Sequence, residues 1–227
     1  MDQSFGPHPY YPPTASIPSY RANETPLPPV LITFAAIVGA VTGLAYWQTS
    51  RLRLRAVDKW AAMWFALCGF LHIFFEGYFL LHRATISQQQ TLFAQLWKEY
   101  ALSDSRYLTL DVFTVCIEFI TVFVWGPLSW LTLFAILRDS PFRHVGQIIV
   151  CTAHLFGVAL YYGTNWGDYR ASGVSYSRPE VLYYWVYYVG LNAPWAVVPV
   201  VLLLDSSKQL AKAFRALQKQ QSTHKTQ

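Results

Sequence analysis

Apolar residues in this chain arrive in long blocks, with the charges gathered between them. A helix needs roughly 20 mostly apolar residues to cross the hydrocarbon of a bilayer. Five stretches come close, at about 30 to 48, 60 to 81, 111 to 137, 144 to 164 and 181 to 204. The pattern predicts an all-α membrane protein whose five transmembrane helices form one domain over residues 30–205. That domain is flanked by a Pro-rich tail, 1–29, and a basic tail, 206–227. Composition agrees: 54% of residues are hydrophobic and 13% charged, a balance that does not suit a soluble core. The first 29 residues have no apolar core of the kind a cleavable signal needs, so the first span is expected to direct its own insertion.

Charge changes the picture by giving direction. Arg51, Arg53, Arg55 and Lys59 follow the first span, Arg138 and Arg143 the third, and Lys208, Lys212, Arg215 and Lys219 the fifth. Basic loops stay in the cytosol, which predicts a lumenal amino terminus and a cytosolic carboxyl terminus. The formal charge of +5 is then topological and calls for no nucleic acid. Asn23-Glu24-Thr25 is a glycosylation pattern, but it lies beside the first span and before Pro26, and is expected to stay unmodified.

With the helices oriented, the buried polar residues fall in one layer and imply an intramembrane cavity. His72 lies just past the middle of the second span, with Glu76 four residues, roughly 6 Å, further along the same face. Glu118 reaches a similar depth on the third span, with Thr114 and Thr121 a turn to either side. His154 is central in the fourth span. Asn192 and Trp195 share a face of the fifth, extended outward by Tyr188 and Trp185. Threonines, a lone His or Asn and spaced aromatics are ordinary packing groups within a membrane. Two carboxylates at one depth with a histidine a turn away are not, since each costs about 2.5 to 3.5 kcal/mol at the centre of a span.

A His and two Glu also suit a three-ligand zinc site. The second His that the familiar helical zinc motif uses is missing from this helix, and the expectation is no metal and no cofactor. Cys68, Cys116 and Cys151 lie in different spans and read as free thiols.

The strings "CGFLHIFFEGYF", "LWKEYALSDSRY", "FTVCIEFITVFVWGPLS" and "LNAPWAVVPVVLLLD" resemble the emopamil-binding protein family, the sterol Δ8 to Δ7 isomerases of the EXPERA superfamily, over about residues 60–205. The resemblance implies that His72, Glu76 and Glu118 are the essential trio, with Thr121, Asn192 and Trp195 lining the same cavity. It also implies a five-helix bundle that pairs as a homodimer in the endoplasmic reticulum and nuclear envelope, with a sterol as substrate and lipophilic cationic amines as inhibitors. Moving a ring double bond needs an acid, a base and stabilisation of a carbocation. Buried carboxyls can hold a proton, and the Trp195 ring can face the cation. Two other readings use the same residues: a membrane cyclase or isomerase acting on a terpenoid or meroterpenoid, and a non-catalytic binder of sterols and amines.

The chain departs from the family's animal isomerases at His154, where Gln is usual, at Val158, where an acid is usual, and at Pro194. Pro194 and Pro199 are expected to kink the fifth helix beside Asn192. Residues 88–107 carry Leu92, Phe93, Leu96, Trp97 and Tyr100 at helical spacing, which predicts an amphipathic helix on the lumenal interface over the cavity mouth. The basic tail is expected to begin as a helix facing anionic membrane lipid and then fray.

Overall fold

The structure, a computed structural model, describes residues 8–225, so residues 1–7 of the Pro-rich tail and 226–227 of the basic tail lie outside it. Every regular element among the described residues is helical. Among the described residues, five helical spans are long and apolar enough to cross a membrane: Leu27–Ser50, Ala56–His82, Val112–Leu137, Phe142–Ser172 and Leu182–Thr223. The first, α1 (Leu27–Ser50), begins where Pro28 and Pro29 occupy its first turn, positions whose N–H groups have no helical partner in any case. It is peripheral, burying only Val30, Ala45 and Thr49.

Three of the spans contain π-helical turns. Helix α2 (Ala56–Phe70) passes through a wide turn, Leu71–Glu76, into α3 (Gly77–His82). Helix α5 (Val112–Ile120) passes through Thr121–Trp125 into α6 (Gly126–Leu137). The fourth span is the unbroken α7 (Phe142–Ser172), and the fifth opens with a wide turn, Leu182–Gly190, before α8 (Leu191–Lys225). Two of these turns have a cause in the sequence. Pro127 has no N–H for the Phe123 carbonyl, and Pro194 has none for that of Gly190, so the ladder re-registers on the amino-terminal side of each proline. Helix α8 continues through Pro194 and Pro199, and through the basic tail to Lys225, where fraying was expected.

The connection between α3 and α5 is not the surface helix that the spacing predicts. It folds into a short 3-10 turn, Ile86–Gln88, a helix α4 (Leu92–Tyr100) capped by Thr91, and a second 3-10 turn, Ser105–Tyr107. Residues 94–98 and 101–108 are buried. The amino-terminal tail covers them: Tyr10 Oη donates to the Lys98 carbonyl at 3.1 Å, Asn23 Nδ2 to that of Gln95 at 2.9 Å, and Lys98 Nζ to that of Arg21 at 2.8 Å. The amide nitrogen that a glycan at Asn23 would need is thus already engaged. Buried Asp104 and Arg106 pair at 2.7 Å, and Arg106 also donates to Thr164 on α7. The segment is a cap tied to the bundle from two sides.

At the opposite, basic end the helices close on a core in which small side chains, Ala61, Ala62, Cys68, Val150 and Cys151, pack among Trp64, Phe65, Leu133 and Leu202. Arg55 there bridges Asp58 and Asp205, at 2.6 and 2.8 Å.

Candidate active site

Between the cap and the small-residue core lies a cavity of about 310 Å³, within the range of ligand pockets. Its polar wall comes from four helices. His72 and Glu76 sit at the two ends of the wide turn in the second span, where His72 Nδ1 lies 2.9 Å from both Glu76 carboxyl oxygens. Glu118, on α5, is also in the wall, and its carboxyl neighbours that of Glu76. Tyr107, from the cap, donates its hydroxyl to Glu118 Oε1 at 3.0 Å, while Glu118 Oε2 is buried with no partner among the described residues. His154 on α7 brings Nε2 to 3.1 Å from His72 Nε2.

The apolar side is aromatic. Trp195 packs on Trp64 with ring centroids 5.2 Å apart, and Phe34, Phe75, Trp97, Tyr100 and Trp125 join it around the cavity. Asn192 spends both amide hydrogens on the protein, donating to Tyr100 Oη at 2.9 Å and to the Tyr188 carbonyl at 2.7 Å. Its own carbonyl oxygen is what remains for a ligand. Burial pushes the Tyr100 and Tyr107 phenols well above their ordinary range, so both stay O–H donors at neutral pH.

Of the residues the sequence singles out, His72, Glu76, Glu118, Thr121, His154, Asn192 and Trp195 line this cavity together. Thr121 turns its hydroxyl back to the Ile117 carbonyl at 2.8 Å and presents its methyl. Tyr188 lies behind the wall, stacked on Tyr184 and lining a separate hollow with Tyr162 and Trp166. Trp185 is 61% exposed on the outer surface. The reason is the wide turn: an α-helical repeat aligns 185, 188, 192 and 195, but each π turn takes an extra residue and rotates everything before it.

Sequence spacing missed Tyr107 and put Trp97 and Tyr100 over the cavity mouth, where the cap in fact folds inward and brings all three into the wall. It also missed the one group among the described residues that could hold a metal ion. Cys68, His72 and His154 present ligand atoms within 4.8 Å of one another, the first two a turn apart on the second span. Glu76 already engages the other nitrogen of His72.

Comparisons with known proteins bear on the family of the chain. The model of the EXPERA (EXPanded EBP superfamily) family matches residues 92–206. The chain is 37% identical to a 3-beta-hydroxysteroid-Delta(8),Delta(7)-isomerase of Mus musculus over 92% of its length and 91% of the relative's. It is 36% identical to the Cavia porcellus protein of the same name, over 94% of each chain. An isomeliandiol synthase of Melia azedarach is 32% identical over 68% of this chain and 70% of its own.

Proposed function

The chain belongs to the EXPERA superfamily, and from that premise we propose that it is a sterol Δ8 to Δ7 isomerase acting within the membrane. The observation that carries the reading is the pair of carboxyls, Glu76 and Glu118, set with His72 into the wall of a largely apolar cavity within the capped half of the spans. Protonating a ring alkene at carbon 9 creates a tertiary cation at carbon 8, and loss of a proton from carbon 7 leaves the double bond in its new place. One carboxyl has to give a proton and one group has to take one, and a neighbouring pair of acids, one protonated and one ionised, supplies both. The cation between these steps needs negative or π-rich surroundings and no water to trap it. Trp195 offers a ring face, worth about 2 kcal/mol when desolvated, and Asn192 the negative end of its carbonyl dipole. A site shaped for that cation also favours lipophilic amines that are protonated at neutral pH.

The same reading puts the protein in the endoplasmic reticulum membrane with its cap in the lumen, because the arginine-rich ends of the spans belong in the cytosol. A second reading, a membrane cyclase or isomerase acting on a terpenoid or meroterpenoid, draws on the likeness to the isomeliandiol synthase of Melia azedarach. Complementation of a yeast lacking its Δ8–Δ7 isomerase, with sterols profiled by mass spectrometry, separates the two. Δ7 sterols are expected with the wild-type chain, and a fall of about 10²- to 10⁴-fold with Glu76→Gln or Glu118→Gln. Unchanged Δ8 sterols with folded wild-type protein would favour the second reading, and activity above about a tenth in both variants would remove the carboxyls from the mechanism.

A further inference from the structure

His72 and His154 meet Nε2 to Nε2 at 3.1 Å. Two imidazoles share a hydrogen bond through these atoms only if one carries a proton there and the other does not. Beyond His72, its Nδ1 lies against the Glu76 carboxyl. Beyond His154, its Nδ1 is buried with no hydrogen-bond partner among the described residues, while the Trp64 ring stands nearly perpendicular to the imidazole. The protons of this chain therefore have to run in one direction. Were Glu76 to donate to His72 Nδ1, or were His72 doubly protonated, His72 would donate through Nε2. His154 would then carry its proton on Nδ1, a buried donor with no acceptor, which is the costly kind of omission. In the reverse sense His154 donates through Nε2, His72 donates through Nδ1 to a Glu76 carboxylate, and the stranded atom holds only a lone pair.

We propose that His154 is a positioning residue that locks His72 in its Nδ1–H tautomer, so that Glu76 is held as an ionised acceptor and the proton of the carboxyl pair rests on Glu118. The catalytic meaning of the lock rests on the isomerase reading; the lock itself is a property of the protein. In that reading the Glu118 O–H bond breaks as a C–H bond forms at carbon 9. Glu76 then takes the proton from carbon 7, whose C–H electrons become the new double bond. The proton returns to Glu118 across the pair, and the cycle consumes nothing else. The Glu118 carboxyl suits this state, since it neighbours that of Glu76 and its Oε2 has no other partner among the described residues.

Nitrogen-15 NMR of the full chain labelled at histidine, in detergent micelles, tests the lock without substrate, with signals assigned by their loss in His72→Gln and His154→Gln. The expected spectrum has His72 protonated at Nδ1 alone and His154 at Nε2 alone. His72 protonated at Nε2 would overturn the proposal whatever the variants do. In turnover, His154→Gln keeps an N–H donor and is expected within about threefold of wild-type kcat, whereas His154→Leu loses about tenfold or more in kcat with KM little changed. If the leucine variant does not fold, His154→Met makes the same comparison. Equal kcat for the glutamine and apolar variants would overturn the positioning role. Absence of isomerisation by the wild type, with the expected tautomers observed, would instead refute the isomerase reading and leave the lock standing.

Discussion

The two ends of the bundle solve opposite problems. At the basic end small residues let α2, α6, α7 and α8 close tightly, and the charges there pair among themselves at the rim: Arg55 with Asp58 and Asp205, and Arg143 with Asp58 at 3.7 Å. At the capped end large aromatic rings fill the core, and polar groups are satisfied by a folded-in connection and the amino-terminal tail. Two of the four buried polar atoms left unpartnered among the described residues, on Glu118 and His154, belong to the cavity wall. The charges of the basic end are thus paired at its rim, while the cavity side keeps buried polarity unspent, as carboxyls inside a span do when they have a function.

Removing the pivotal arginine at each end should break this contrast most clearly. Arg106 is buried against buried Asp104 and holds the turn that carries Tyr107. Arg106→Leu strands a buried carboxylate and is expected to cost about 3 to 5 kcal/mol and to abolish most turnover, because Tyr107 loses its footing beside Glu118. Arg55 is partly exposed, and Arg143 remains near Asp58 when it is gone. Arg55→Leu should therefore cost at most about 1 kcal/mol and leave turnover unchanged. Thermal unfolding in detergent, followed beside a turnover assay, reads both, and equal losses for the two variants would mean that the cap is not the functional end.

Much of this contrast was legible in the sequence, and the rest was hidden for physical reasons. Length and hydropathy place all five spans, because the bilayer thickness fixes how many apolar residues a helix must carry. His72, Glu76 and Glu118 stand out because a carboxylate in an apolar run is expensive enough to need a reason. Trp185 and Tyr188 were placed one turn too optimistically, since α-helical spacing was carried through a segment that winds as a π-helix. The cap was read as an interfacial helix because its apolar spacing is real. What buries it is the amino-terminal tail, a contact between residues about 70 to 90 positions apart that no local pattern records.

A smaller and sharper break concerns two glycines where helices touch. A methyl group on Gly69 would sit 2.7 Å from Nε1 of the Trp130 side chain, and one on Gly126 would sit 2.7 Å from Ile73 Cγ1 and 3.2 Å from His72 Cβ. Both alanine variants are overpacked, and each is expected to lose about 1 to 3 kcal/mol of stability. They should differ in function. Gly69→Ala meets an indole, away from the carboxyls, and should keep turnover near wild type. Gly126→Ala presses on the wide turn that carries His72 and Glu76, and should lose about tenfold or more in kcat, as misplacement of a reacting group does. Parallel falls in kcat for the two would show that helix packing in general, not the placement of His72, limits the reaction.

The finest division runs through one residue that belongs to both regions. Trp195 packs on Trp64 beside the core of the basic end and also lines the cavity. Trp195→Ala therefore removes buried area for any ligand, and under the proposed mechanism it also removes the π face that a carbocation or a protonated amine would meet. The two contributions separate when a lipophilic tertiary amine is compared with an isosteric neutral compound in the same variant. The neutral compound should weaken by its lost contact area alone. The amine should weaken by a further 1 to 2 kcal/mol or so, roughly tenfold in Kd, because only a positive charge feels the ring quadrupole. Competition binding in detergent measures both. Equal weakening of the two would assign Trp195 to packing and leave the Asn192 carbonyl and the ionised member of the carboxyl pair as the groups that stabilise the cation.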